Sequence, residues 1–253
     1  MTMRCKIIYE DEELLVIHKP AGLATQSAKV GQSDVVSELK GYLARKTGGG
    51  PRKEPYLGVV HRLDQPVEGL LVFAKTQRAA AALTRQLQKG SLNKTYVAAV
   101  YGIPKAPQME LTDSLVKDGN AVRVVTGQGK NHPDAKEARL SYRLLRSFRP
   151  GELDEKLTGM VESRKTDAEI SILEVRLETG RFHQIRAQLS YAGLPILGDQ
   201  KYGSEASREL SETLGVRNVA LCAESLELVH PITKKKMSWR VSPENKIFQN
   251  ISN

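Results

Sequence analysis

The sequence predicts an α+β fold with a largely antiparallel sheet. Segments with the hydrophobic pattern of strands outnumber those with helical spacing, and short turns connect many of them. No glycine-rich loop follows a strand and opens a helix, which argues against a doubly wound sheet that binds a nucleotide cofactor. Hairpins are therefore expected to dominate over alternating strand–helix units.

The strands are predicted from runs of alternating or continuous apolar residues that have turn-forming residues at both ends. Residues 57–60 and 70–74 flank a short polar loop, and residues 136–145 alternate most clearly. The other predicted strands are residues 6–9, 14–18, 94–101, 111–117, 121–126, 170–177, 219–229 and 236–241.

Three helices are predicted from capping residues and helical spacing. Asp34 can cap a helix that begins at residue 35, and Thr76 can cap a helix over residues 77–89 that Gly90 ends. Residues 182–192 carry apolar side chains at helical spacing, and a glycine follows them.

Composition limits the class of protein. The 253 residues contain 38 Lys and Arg against 29 Asp and Glu, and a net charge of +9 favours a polyanionic partner such as nucleic acid. Cys5 and Cys222 are far apart, without the spacing of a disulfide framework or a zinc motif. No signal segment or run of about 20 apolar residues occurs, so we expect a cytoplasmic enzyme or binding protein.

The segment HRLD at residues 61–64 offers the clearest candidate for reaction chemistry. It places Asp64 near Arg62 on the loop between the strands predicted at 57–60 and 70–74. Reactive groups are often presented on loops that rigid strands hold. An ionised carboxylate beside a cation is a candidate nucleophile, which in a basic chain suggests chemistry on a polyanion.

Four segments, in order, resemble the RluA-type family of RNA pseudouridine synthases. They are HKPAGL at 18–23, HRLD at 61–64 with GLLV at 69–72, KTYVAAVYG at 94–102, and ETGRFHQIR at 178–186 with GLPILGD at 193–199. The resemblance spans about residues 6 to 240. It departs at Val67 and Glu68, where the family commonly has Thr-Ser. Since the chain starts directly at the first catalytic strands, we expect one catalytic domain over residues 1–253 without a separate N-terminal RNA-binding domain.

The resemblance implies the pseudouridine synthase fold, in which helices and loops flank a large, mixed, mainly antiparallel, bent sheet. It also implies the isomerisation of specific uridines in ribosomal or transfer RNA. Asp64 matches the family nucleophile, Arg186 the arginine that pairs with it, and Tyr96 the tyrosine that stacks on the target base. A core tyrosine is the competing interpretation of Tyr96. The covalent route that the carboxylate follows stays open. The family implies neither a cofactor nor a metal, and a monomer is expected.

Contacts to RNA are expected from other residues of the same motifs. Arg62 would fill the gap left by the flipped base or contact a phosphate. Arg181, Lys94 and His61 are further candidates, with a hydrogen bond inside the loop as the competing interpretation of His61. Any one of the lysines at 19, 75 and 201 could add to the same basic surface, although a single lysine is usually only solvated.

Two other functions compete with the enzyme. A catalytically impaired RNA-binding protein on the same fold would explain the altered residues Val67 and Glu68. A hydrolase or phosphotransferase could use Asp64, but such enzymes usually need a metal cluster or a second carboxylate on the loop. The presence of Asp64, Tyr96 and Arg186 together favours the synthase, since binding alone does not require these three.

Overall fold

The computed structural model describes residues 3–27, 31–46, 54–152 and 168–251. Two compact units make up the chain. The first unit comprises Met1–Lys94 with Cys222–Ser242, and the second unit comprises Thr95–Leu221 with Pro243–Asn253. No helix among the described residues is long and apolar enough to cross a membrane.

The described residues form eleven strands and four α-helices. The strands are β1 (Lys6–Glu10), β2 (Leu14–Lys19), β3 (Gly58–Val59), β4 (Glu68–Ala74), β5 (Asn93–Tyr101), β6 (Gln108–Asp118), β7 (Ala121–Val125), β8 (Lys136–Phe148), β9 (Ile170–Leu177), β10 (Leu221–Val229) and β11 (Lys236–Arg240). The helices are α1 (Val35–Lys46), α2 (Gln77–Gln88), α3 (Gln184–Tyr191) and α4 (Glu205–Thr213).

In the first unit, the order of paired strands is β1, β2, β4, β10 and β11, and β3 also pairs with β4. All of these pairs are antiparallel except β4–β10, which is parallel. The apolar core of this sheet includes Val16, Leu70 and Leu226, and α2 packs against it through Ala79 and Leu83. The predicted caps are confirmed, because the Asp34 carboxylate accepts the Ser37 N–H and Thr76 Oγ1 accepts the Ala79 N–H.

In the second unit, β5, β9, β8, β6 and β7 form an antiparallel sheet in that order. The predicted hairpin over 111–126 is confirmed as β6 and β7, with β6 beginning three residues earlier. Leu115, Val122 and Ala138 on the sheet pack with Ala187 of α3. The sequence therefore predicted the mainly antiparallel α+β character correctly within both units.

Two helices of the structure differ from the prediction. The helix predicted at 182–192 begins at Gln184, because His183 has a φ of 51° and a left-handed residue cannot continue a right-handed helix. Helix α4 was not predicted. Its buried face contains Ser207 and Ser211 beside Leu210, so the apolar spacing that usually reveals a helix is weak.

Candidate functional site

The loop that carries Asp64 joins β3 to β4 and is held on both sides of this residue. Thr25 Oγ1 donates to the Leu63 carbonyl at 2.8 Å and accepts the Leu63 N–H at 3.2 Å. The Gln65 carbonyl accepts the Gly22 N–H at 2.8 Å, and the Gln65 side chain donates to the Gly22 carbonyl at 3.1 Å. Asp64 itself is half-buried. Both neighbours of the carboxylate are therefore fixed to the segment that follows β2.

Lys19 is a buried anchor for the same loop. Its side chain is 0% exposed, and its Nζ donates to the carbonyls of Pro20, Leu23 and Gln65 at 3.0, 2.7 and 3.1 Å. Burial lowers the pKa of Lys19 to about 8, against the opposing charges of Cys5, Asp64 and Glu68. The sequence treated Lys19 as a candidate surface lysine. That assignment was wrong, since the ammonium ties the turn after β2 to the residue next to Asp64.

His61 holds the start of this loop against β4. Its ring is buried, and Nε2 accepts the Val72 N–H at 3.2 Å. Burial and, secondarily, the charge of Lys94 lower the pKa of His61 well below its usual value. A neutral, buried imidazole suits the competing interpretation, a hydrogen bond that positions the loop. Arg62 is exposed and Lys94 is half-buried in the same unit.

Gly69 is required where it stands. Its φ is 126°, and a Cβ at this position would lie 2.4 Å from the Ala223 nitrogen of β10. Any side chain would therefore push apart the parallel pair β4–β10 directly after the Asp64 loop. The glycine of the second motif thus fixes the spacing of these two strands.

Glu68, the residue that departs from the family pattern, faces the protein interior. Its side chain is buried, and one carboxylate oxygen lies 3.8 Å from His18 Nε2. Cys222 is opposite Glu68 in the β4–β10 pair. Ligand atoms of His18, Glu68 and Cys222 all lie within 4.8 Å of one another. Among the described residues, these three side chains form the one group that is placed to hold a metal ion.

Arg186 lies on α3 in the second unit and is bound by Asp199. Arg186 Nε and Nη2 donate to the two carboxylate oxygens of Asp199 at 2.7 and 2.8 Å, and both side chains are buried. The guanidinium carbon also lies 5.0 Å from the centre of the Tyr202 ring. This bidentate pair fixes the guanidinium plane. The sequence quoted Asp199 only as part of a motif and gave it no role.

The segment before α3 is also ordered by side chains. Gln184 Oε1 accepts from Thr179 Oγ1 and from the Arg181 N–H, both at 2.9 Å, and Arg181 Nε donates to the Glu137 carbonyl at 2.8 Å. Arg181 itself remains exposed. These contacts hold the residues that separate β9 from α3 in a defined conformation.

Phe182 presents an exposed aromatic ring next to Arg181. It is 48% exposed and stacks on His183, with ring centres 3.7 Å apart and an interplanar angle of 23°. His183 Nδ1 is hydrogen-bonded to the Tyr202 hydroxyl at 2.8 Å, which fixes the imidazole. The sequence predicted Phe182 as the first residue of the helix over 182–192. That assignment was wrong, because the left-handed His183 ends the helix before it reaches Phe182.

Tyr96 lies on β5, opposite Val175 of β9, and is 4% exposed. Tyr96, Arg181 and Arg186 thus belong to the second unit, whereas His61, Arg62, Asp64 and Lys94 belong to the first. The pairing of Asp64 with Arg186 and the stacking role of Tyr96 stay predictions.

Comparisons with known proteins connect this arrangement to one family. Residues 13–191 match the family model described as RNA pseudouridylate synthase. The chain is 34% identical over 242 residues to Ribosomal large subunit pseudouridine synthase D of Pasteurella multocida, covering 92% of this chain and 65% of the relative. It is 36% identical over 243 residues to the protein of the same name from Pseudomonas aeruginosa, covering 92% and 67%.

The chain thus spans about two thirds of the length of these curated relatives. Among solved structures, Human RNA Pseudouridylate Synthase Domain Containing 4 superposes with a TM-score of 0.71 at 22% identity, covering 96% of this chain and 90% of that one. This likeness confirms the predicted fold. The resemblance of the four motifs is likewise confirmed, and the chain belongs to the RNA pseudouridylate synthase family.

Proposed function

We propose that this protein is an RNA pseudouridine synthase, an isomerase that converts specific uridines of structured RNA to pseudouridine. The observation that carries the proposal is the Asp64 loop, which buried contacts hold on both sides while the carboxylate stays half-buried. Family membership supports the reaction type. The names of the relatives favour ribosomal RNA over transfer RNA as the substrate.

In this proposal, Asp64 is the nucleophile. The reaction breaks the bond between C1′ of the ribose and N1 of uracil, and the base rotates. A bond between C1′ and C5 then replaces the first one, the C5 proton is lost and N1 gains a proton, so the product is an isomer of the substrate. A carboxylate held in place lowers the entropic barrier to attack on an extruded nucleotide. Whether it attacks the base or the sugar, the carboxylate must be anionic.

Arg186 is proposed to keep Asp64 anionic. Asp199 holds Arg186 through Nε and Nη2, and we propose that the guanidinium fixed in this way also pairs with the Asp64 carboxylate. A guanidinium fixed by a bidentate partner loses little entropy when it binds a second anion. Tyr96 is proposed to stack on the target base.

Binding of the surrounding RNA is assigned to exposed groups. Arg62 and Arg181 are exposed cations that can contact phosphates or fill the stack after base flipping. Phe182, held by His183, offers a flat apolar face on which an unpaired base can stack. We also propose that Lys94 contacts an RNA phosphate. For His61 we propose a positioning role, since its neutral ring is buried in the loop.

The proposal is tested by incubating the purified protein with uridine-labelled ribosomal RNA and, separately, transfer RNA in the presence of a chelator. Pseudouridine is then measured in digests of the RNA. The wild type and the control Asp118→Asn, which removes an exposed carboxylate of β6, should form product. Asp64→Asn should form none while its affinity for RNA is retained.

Three outcomes would redirect the assignment. RNA binding without product in the wild type would favour the catalytically impaired RNA-binding protein. RNA cleavage that depends on added metal would favour the hydrolase. Equal activity of wild type and Asp64→Asn would exclude Asp64 as the nucleophile.

A further inference from the structure

A small polar cluster interrupts an apolar face of the first unit's sheet. Along β2, β4 and β10, side chains on this face include Val16, Leu70 and Leu226, which belong to the core. His18, two residues after Val16, and Glu68, two residues before Leu70, continue the same face because strand side chains alternate with a period of two. Cys222 completes the cluster from β10, opposite Glu68.

All three side chains of the cluster are buried, and two of them lie close to each other without a direct hydrogen bond between them. The exposed fractions of His18, Glu68 and Cys222 are 5%, 3% and 0%. The 3.8 Å between His18 Nε2 and the Glu68 carboxylate is longer than a direct N–H···O bond. His230 and Asp11 in the same unit show the ordinary arrangement, at 3.0 Å. The separation in the cluster instead approaches the distance between two ligands of one metal ion.

We propose that His18, Glu68 and Cys222 bind one divalent cation of borderline softness, of which Zn²⁺ fits best. Imidazole, carboxylate and thiolate are the three side-chain ligand types of zinc, at about 2.0–2.3 Å from the ion, which places tetrahedral ligands roughly 3.3–3.8 Å apart. The observed atoms, all within 4.8 Å of one another, need to close by at most about 1.0–1.5 Å for that geometry.

Charge balance supports the same occupant. One carboxylate and one thiolate neutralise a dication, and the imidazole adds no charge, so the occupied site is neutral in a buried position. Three protein ligands leave the fourth tetrahedral position to a water molecule. Thiolate ligation also favours zinc over Mg²⁺ or Ca²⁺, which prefer oxygen.

The consequence of the site is mechanical and independent of the uridine chemistry. The ion would join β2, β4 and β10, and Glu68 is the first residue of β4, four residues after Asp64. No step of the proposed isomerisation uses the ion.

The test is a titration of the chelator-stripped full chain with Co²⁺, which reports thiolate ligation through a near-ultraviolet charge-transfer band and visible d–d bands. The wild type should bind one equivalent, Zn²⁺ should displace it, and Zn²⁺ should raise the melting temperature. Cys222→Ser should lose the charge-transfer band. It should also weaken Co²⁺ binding by more than roughly 10–100-fold, which is the effect of losing a residue that only supports a metal ligand. Cys5→Ser, which removes the other buried cysteine, should behave as the wild type.

Glu68→Gln provides a second variant that keeps the volume of the side chain and the thiolate. It should retain a charge-transfer band but bind Co²⁺ more weakly than the wild type. The proposal is overturned if the wild type binds no stoichiometric Co²⁺ or Zn²⁺, or if the Cys222→Ser protein binds as tightly as the wild type. Neither result depends on whether the protein forms pseudouridine.

Discussion

The buried pair of Arg186 and Asp199 allows a sharp prediction about Asp199→Asn. Asp199 Oδ1 accepts from Arg186 Nη2 and from the backbone N–H groups of Lys201 and Tyr202, whereas Oδ2 accepts from Arg186 Nε. An asparagine oxygen is best placed at the Oδ1 position, where three donors converge. Its NH₂ group then faces the Arg186 Nε–H, so that two donors meet in a buried site.

The expected magnitude follows from the loss of charge. Asp199 is fully buried and the Arg186 side chain is 6% exposed, so the substitution removes the carboxylate charge that forms a bidentate pair with this buried guanidinium. Breaking a buried ion pair in this way costs about 3–5 kcal/mol. For a chain of this length, a loss of 1 kcal/mol lowers the melting temperature by about 2–4 °C, so we expect a fall of roughly 6–20 °C.

The measurement is the free energy of unfolding from denaturant titration, together with thermal melting. Glu174→Gln is the matched control, because it makes the same change of charge in a carboxylate whose partners, Arg143 and Arg176, are largely exposed. The control should lose less than about 1 kcal/mol. If Asp199→Asn also stays within about 1 kcal/mol of the wild type, the guanidinium does not depend on Asp199 and the argument fails.

Two further predictions concern the Asp64 loop and the RNA surface. Replacement of Lys19 by Met should reduce the free energy of unfolding by only about 1–3 kcal/mol at pH 7. The loss is small because the drop in pKa from 10.5 to about 8 means that burial of the ammonium already costs about 3.4 kcal/mol in the wild type. The pKa of Lys19 is lower in the folded state than in the unfolded state, so the wild type should gain stability relative to this variant when the pH rises from 7 to 9.5. If the difference in the free energy of unfolding is the same at both pH values, the ammonium is not buried. Phe182→Ala should raise KM for RNA by about 5–150-fold, the equivalent of 1–3 kcal/mol for one stacked base, with little change in kcat, whereas Phe182→Tyr should keep the wild-type KM. Steady-state kinetics that show a loss of kcat instead would place Phe182 in the chemical step.

Hairpins and capped helices could be predicted because their signals are local. Thr76 and Gly90 predicted the limits of α2, and the observed helix Gln77–Gln88 ends one residue before the prediction. Local signals fail where the deciding contact is distant. His183 takes a left-handed conformation in a segment that Gln184 orders by bonds to Thr179 and Arg181, and apolar spacing alone does not report such a network.

In the candidate site, too, local signals were predicted correctly and contacts between distant segments were not. The order of the motifs pointed to Asp64, and the loop is found where it was expected. The partners of Lys19 and Arg186 could not be predicted, because burial of a lysine or the pairing of an arginine is set by which distant segments fold over it. The cluster of His18, Glu68 and Cys222 depends on the register of β2, β4 and β10. A shift of one residue would turn a side chain to the opposite face.

Lys19 and Arg186 are both buried cations, and their charged groups are held in different ways. Asp199 neutralises Arg186, whereas Lys19 is held by three carbonyl groups that carry no net charge. The nearby charges of Cys5, Asp64 and Glu68 favour the charged form of Lys19, although burial lowers its pKa to about 8. Methionine at position 19 would remove both this charge and the anchor at Gln65. Expressed as free energies, the loss of rate in the proposed isomerisation should therefore exceed the loss of stability. Equal losses would show that Lys19 acts only through folding.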